Sequence, residues 1–204
     1  MDDAFTLLRR ATGLLPRDAR IGIGATVDDV RDFQHRREWG FVLDLLMEFG
    51  DEHPVPVAFW SLLETAARQM MLERAAQWCG WREGEVRHGT FRAVLSLPSA
   101  REGRRRTAFA GQGQLRPVWD IGRVTADGGR EMYIAAVWVE GAERLGPGES
   151  APVRLAPLSP DRWRHLTPGT VITMHEGRPV AGTATILQVV APLEKQVRSA
   201  EEEG

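Results

Sequence analysis

The chain has 204 residues, a formal net charge of −2 at pH 7 and 43% hydrophobic residues, a composition typical of a soluble globular protein. Its one cysteine, Cys79, excludes an internal disulfide framework and a zinc finger built on cysteines. No apolar run approaches the ~20 residues that cross a bilayer, and the acidic first residues do not resemble a signal peptide. We therefore expect a cytoplasmic protein of one or two domains.

Charge is distributed unevenly along the chain. Residues 1–82 contain 13 acidic and 10 basic residues, whereas residues 83–195 contain 12 acidic and 15 basic residues. Residues 196–204 contain three acids and one base and are expected to form an acidic flexible tail. Neither body has the strongly basic composition of a typical nucleic-acid-binding domain.

The first 81 residues have the apolar periodicity of helices. Pro16 ends the first of these helices, and Thr26 with Asp29 resembles a capping box that starts the second. Gly50 is predicted to cap the end of the third. The predicted helices cover residues 4–15, 26–33, 39–49, 57–71 and 73–79, and short connections between them indicate a small antiparallel bundle.

From residue 88 onward the helical periodicity disappears. Six short segments rich in Val, Ile, Thr and aromatic residues are separated by Gly and Pro, a pattern that predicts an all-β barrel or sandwich. The predicted strands cover residues 91–97, 118–124, 132–139, 153–155, 171–175 and 183–190. The sequence therefore predicts an α+β protein with a helical domain at residues 1–82 and a β domain at residues 83–195.

Two motifs in the β half resemble a known family. One reads RRTAF at residues 105–109, followed by RPVW at residues 116–119, and the other reads VITMHEGRPVAG at residues 171–182. They resemble the third, C-terminal domain of elongation factor Tu, which implies a six-stranded antiparallel β-barrel. Arg106, Ala108 and Leu115 replace the His, Pro and Tyr of the family pattern.

In elongation factor Tu this domain supports the GTPase domain and contacts the T-stem of aminoacyl-tRNA. No G-x-x-x-x-G-K-[ST] motif occurs here and Lys195 is the sole lysine, so a GTPase of that type is excluded. Two interpretations of the arginines in this region remain open. In one, Arg105 and Arg116 brace barrel loops, with one of them paired with Asp120 or Glu102. In the other, four arginines form a cationic edge for RNA phosphates or an acidic protein surface. The arginines are Arg104, Arg105, Arg106 and Arg116.

The helical half resembles a second family. It contains EWG at residues 38–40, LDLLME at residues 43–48, DE at residues 51–52 and PVP at residues 54–56. This order resembles the small helical immunity proteins of Maf-type polymorphic toxin systems. The i,i+3 and i,i+4 spacing of Glu48, Asp51 and Glu52 places them on one helix face. Such a face is suited to cover the cationic site of a nuclease-like toxin; the alternative is an ordinary solvated face.

The remaining chemistry-bearing residues form no recognisable catalytic pattern. The five histidines lack metal-ligand spacing, and Cys79 has no histidine close to it in sequence. We therefore expect a non-enzyme with no cofactor, metal, nucleotide or membrane partner. The leading hypothesis is an immunity-type protein that neutralises a cognate toxin by protein–protein contact. The alternative is a translation-associated accessory protein whose barrel binds tRNA or a translation GTPase.

Overall fold

A computed structural model describes residues 2–22, 24–103, 105–177 and 180–193. The chain divides into two compact units, Met1–Arg87 and His88–Gly204. The predicted acidic tail, together with Arg104, lies outside the described residues. No helix in the described ranges is long and apolar enough to cross a membrane.

The described part of the first unit contains five helices. They are α1 (Ala4–Thr12), α2 (Val27–His35), α3 (Trp39–Glu52), α4 (Val57–Gln69) and α5 (Glu73–His88). The capping box predicted at the start of α2 is present, because the Thr26 hydroxyl accepts from the Asp29 backbone and the Asp29 carboxylate accepts from the Thr26 backbone. Apolar side chains from α1, α3 and α4 fill the core, with Leu8, Leu43, Leu46, Phe59, Trp60 and Leu63 fully buried.

Helices α3 and α5 extend several residues beyond their predicted ends. Gly50 does not cap α3, because it lies inside that helix and faces α4. A Cβ built at Gly50 would lie 2.5 Å from a Trp60 ring atom and 2.8 Å from Phe59, so glycine here allows close helix packing. Helix α5 continues to His88 rather than ending near Cys79, and it ends where Gly89 adopts a φ of 78°.

The second unit is built around a closed antiparallel barrel of six strands. Its strand order is β1–β6–β4–β3–β7–β8, and β8 pairs with β1 to close it. A separate two-stranded sheet, which the sequence did not predict, joins β2 to β5. The strands are β1 (Thr90–Ser96), β2 (Phe109–Ala110), β3 (Val118–Val124), β4 (Arg130–Val139), β5 (Arg144–Leu145), β6 (Ser150–Pro157), β7 (Val171–His175) and β8 (Val180–Val190).

Period-two alternation decides which side chains fill the barrel. On β1, Phe91, Ala93 and Leu95 are buried while Arg92 and Ser96 point away from the core. The interior also holds the fully buried rings of Trp119 and Trp163, whose centroids are 6.4 Å apart. A short 3₁₀ helix, Pro160–Trp163, carries the second of these rings.

We expect Gly50→Ala to destabilise the protein by about 1–3 kcal/mol, because the added methyl group would overpack the contact with Trp60 and Phe59. The matched control is Gly84→Ala in α5, where a Cβ meets nothing within 4 Å. That change should stabilise the protein by up to about 1 kcal/mol through helix propensity. Urea unfolding of both variants measures the difference, and equal effects would contradict the close packing at Gly50.

Candidate interaction surfaces

The three acids predicted to form a docking face lie at the end of α3. Glu48 is half-buried, whereas Asp51 and Glu52 are exposed. The structure gives them different surroundings. Asp51 accepts a hydrogen bond from the Arg82 guanidinium at 3.0 Å, while Glu48 has no hydrogen bond or ion pair within the described residues.

Glu52 connects α3 to the loop between α1 and α2. Both of its carboxylate oxygens accept from the Gly22 backbone N–H, at 3.0 and 3.1 Å. The neighbouring His53 ring lies 2.7 Å from the Arg20 carbonyl oxygen. The end of α3 is therefore fixed to a segment about thirty residues earlier in the chain. Of the predicted trio, Asp51 and Glu52 have structural contacts in addition to their charge.

Arg82 is the centre of a charged network between α3, α4 and α5. Its side chain is 12% exposed, and its Nε lies 3.1 Å from a carboxylate oxygen of Glu85, whose side chain is 6% exposed. Glu85 also accepts from the Trp81 indole N–H at 2.7 Å. The guanidinium stacks 5.0 Å from the Trp60 ring centroid. The sequence analysis did not identify this network, although the i,i+3 spacing of Arg82 and Glu85 on one helix indicates a possible ion pair.

Of the arginines predicted to form a cationic edge, Arg105 braces the barrel, and Arg106 and Arg116 are exposed. Arg105 forms an ion pair with Glu176 and lies 5.0 Å from the Phe109 ring centroid, so it braces the barrel. The predicted partners were wrong, because Asp120 pairs with Arg130 at 3.1 Å and Glu102 accepts from the Ser99 hydroxyl at 2.9 Å.

Arg106 and Arg116 are exposed and make no ion pair with any described residue. The register brings this region together at one end of the barrel. Val118, two residues after Arg116, pairs with His175, and Glu176 beside it holds Arg105. The exposed arginines are thus attached to the barrel end that contains the turn from β7 to β8. Arg104 belongs to the predicted set but lies outside the described residues.

Two side chains with nucleophilic atoms, Cys79 and Ser61, lie in the helical unit. Burial raises the pKa of the Cys79 thiol to about 12, so it is protonated at neutral pH and is a poor nucleophile. The Ser61 hydroxyl donates to the Val57 carbonyl of its own helix at 3.2 Å. Among the described residues, no three His, Cys, Asp or Glu side chains are grouped as a metal site requires.

An open groove of about 800 Å³ lies between α1 and α4. Leu14 and Leu62 contribute to its apolar lining, and Arg10 and Arg87 border it. Both arginines are paired, the first with Asp2 and the second with Glu83 at 2.7 Å. The lining described for this groove contains no histidine and no carboxylate.

No protein-family model matches the chain, and a search of curated proteins also found no match.

Proposed function

We propose that the chain is a non-enzymatic binding protein with an immunity-type role, whose helical unit docks on a basic surface of a cognate toxin. The observation that carries this proposal is the row of carboxylates along α3. Glu48 follows Asp44 by one helical turn, and Asp51 and Glu52 follow Glu48 by another. Asp44 and Glu48 have no ion pair with any residue that the structure describes.

The arrangement of this row suits rapid recognition of a cationic protein. Asp51 and Glu52 are fixed by Arg82 and by the Gly22 backbone, so part of the negative surface is preorganised. Preorganised groups lose little conformational entropy on binding. Glu48, which has no internal partner, supplies charge for steering the encounter. The motif resemblance to Maf-type immunity proteins supports the same role.

The sharpest variant for this proposal is Glu48→Gln, because it removes a charge without removing an intramolecular contact. We expect a several-fold slower association with the cognate toxin domain, a weaker salt dependence and an unchanged melting temperature. Adding Asp51→Asn and Glu52→Gln should slow association further, but should also lower stability.

The control for Glu48→Gln is Asp18→Asn, which changes an exposed acid of the same unit that lies outside α3. Stopped-flow association at several salt concentrations measures both variants. Equal rates for the two variants would contradict docking through α3. Failure of the wild-type protein to bind or neutralise that toxin domain would contradict the immunity-type role itself.

The alternative function is a translation-associated accessory role in which the barrel binds tRNA or a translation GTPase. It is favoured by the exposed arginines Arg106 and Arg116 at one barrel end, together with the motif resemblance to the third domain of elongation factor Tu. Two arginines would supply a modest, salt-sensitive phosphate contact rather than sequence-specific recognition.

Under this alternative, Arg106→Ala with Arg116→Ala should weaken tRNA binding and reduce its salt slope by roughly one per lost phosphate contact. The control is Arg130→Ala, which removes an exposed arginine whose charge is paired with Asp120. Filter binding at several salt concentrations, physiological salt among them, measures the affinities and the slope. Retention of tRNA by the wild-type protein, with release by the double variant only, would favour the alternative over the immunity-type role.

A further inference from the structure

A bulge near the end of β3 places Arg123 opposite Glu131 of β4. Asp120 and Val124 pair with β4 residues that are only two positions apart, so three residues of β3 oppose one residue of β4. Arg123 is one of the three, and Glu131 is the one. Gly122, which precedes Arg123, has a φ of 78°, a conformation that glycine adopts readily. Bulges re-aim side chains and are common beside functional sites.

A tyrosine and a second arginine lie beside this bulge. Glu131 and Tyr133 are both half-buried on β4, and the Tyr133 hydroxyl donates to Oε2 of Glu131. The other carboxylate oxygen, Oε1, accepts no hydrogen bond from any described residue. The hydrogen bond to Glu131 raises the pKa of Tyr133, whereas the positive charges of Arg162 and Arg123 act in the opposite direction. Two guanidinium groups therefore lie near one phenol and one carboxylate.

Neither arginine is neutralised by an ion pair with a described residue. Arg123 is half-buried, and its Nε is buried without a hydrogen-bond partner in the part of the chain that the structure describes. Arg162 is exposed. A buried guanidinium N–H without an acceptor costs free energy, which a bound anion would recover.

His165 fixes the second arginine next to the strand that carries the first. The two ring nitrogens of His165 lie 3.1 Å from the Arg162 carbonyl oxygen and 2.8 Å from the Ile121 carbonyl oxygen. These contacts tie the 3₁₀ helix that carries Arg162 to β3, which also carries Arg123. Cationic groups on backbone that is held in this way lose less conformational entropy when a ligand binds.

We propose that Arg123, Arg162 and Glu131 form a binding site for hydrogen phosphate. The two guanidinium groups donate to the unprotonated oxygens of this dianion, an arrangement that arginine favours. Oε1 of Glu131 accepts from the one P–OH group. Two positive charges thus balance the two negative charges of the ligand, and the carboxylate gains a donor because the ligand keeps a proton.

The Glu131 carboxylate decides which anion this site accepts. Sulfate has the same shape and charge as hydrogen phosphate but carries no proton at neutral pH, so it would place an unprotonated oxygen against Glu131. The phosphodiesters of an RNA backbone also carry no proton and would be repelled in the same way. The carboxylate therefore acts as a repulsive element against both competitors.

This inference is independent of the proposed function, because the acidic row lies on α3 of the helical unit. It also differs from the alternative function in its residues. Arg116 precedes the start of β3, whereas Arg123 lies near the end of that strand.

Tyr133 provides a local reporter because it is the sole tyrosine of the chain. Labelling the tyrosine ring with carbon-13 gives NMR signals from this position alone. Titration of the full chain with sodium phosphate at pH 8 and constant ionic strength should shift these signals until they saturate. Sodium sulfate and dimethyl phosphate, which carry no proton, should bind at least about tenfold more weakly.

Two variants separate the roles of the cations and the carboxylate. Arg162→Gln changes an exposed side chain, so it should fold, and it should weaken phosphate binding by at least about tenfold. Its matched control is Arg164→Gln, which changes an exposed arginine two positions later that is already paired with Asp161 and should leave phosphate binding unchanged. Glu131→Gln keeps an acceptor for Tyr133 but removes the charge, so sulfate should then bind about as tightly as phosphate.

Any one of three results would overturn the proposal. The first is a Tyr133 signal that does not saturate with phosphate, and the second is equal weakening of phosphate binding by Arg162→Gln and Arg164→Gln. The third is wild-type protein that binds sulfate or dimethyl phosphate as tightly as phosphate, because Glu131 would then not recognise the proton of the ligand.

Discussion

Burial of the Arg82 guanidinium is the constraint on which the helical unit depends. Helix α5 contributes only Ala76, Cys79 and Glu85 as buried residues, so it lacks the broad apolar face that usually docks a helix. Its position follows instead from Arg82, which pairs with Asp51 and Glu85 and stacks near Trp60. A desolvated cation is tolerated only where such partners are correctly placed.

The same contact set determines what α3 presents to a partner. The Gly50 carbonyl oxygen accepts a hydrogen bond from the Arg82 guanidinium at 3.3 Å. Because Gly50 has no side chain, the Trp60 ring packs directly against its backbone. Asp51, one residue further, is held by the same guanidinium. One carboxylate of the row along α3, that of Asp51, is therefore held by a contact within the helical unit. Asp44 and Glu48 are the members of the row that form no ion pair with any described residue.

Local signals in the sequence predicted much of the fold. The capping box at Thr26 and Asp29 was correct because it depends on residues three apart. The six barrel strands were indicated by segments rich in Val, Ile, Thr and aromatic residues between Gly and Pro. The helix end expected at Gly50 was wrong because contact with Trp60, ten residues away in sequence, decides the role of that glycine. The Glu176 partner of Arg105 is 71 residues distant, a pairing that no local pattern encodes.

A double-mutant cycle between Arg82 and Glu85 tests the central claim most directly. The free energies of unfolding of Arg82→Met, Glu85→Gln and the double variant are compared with that of the wild type. Arg82→Met leaves the buried Glu85 carboxylate without its cation and should cost about 3–5 kcal/mol, whereas Glu85→Gln leaves Arg82 paired with Asp51 and should cost less. The double variant should cost less than the sum, giving a coupling energy of roughly 1–3 kcal/mol. A coupling energy near zero would contradict the account, because α5 would then be held by contacts other than this charged network.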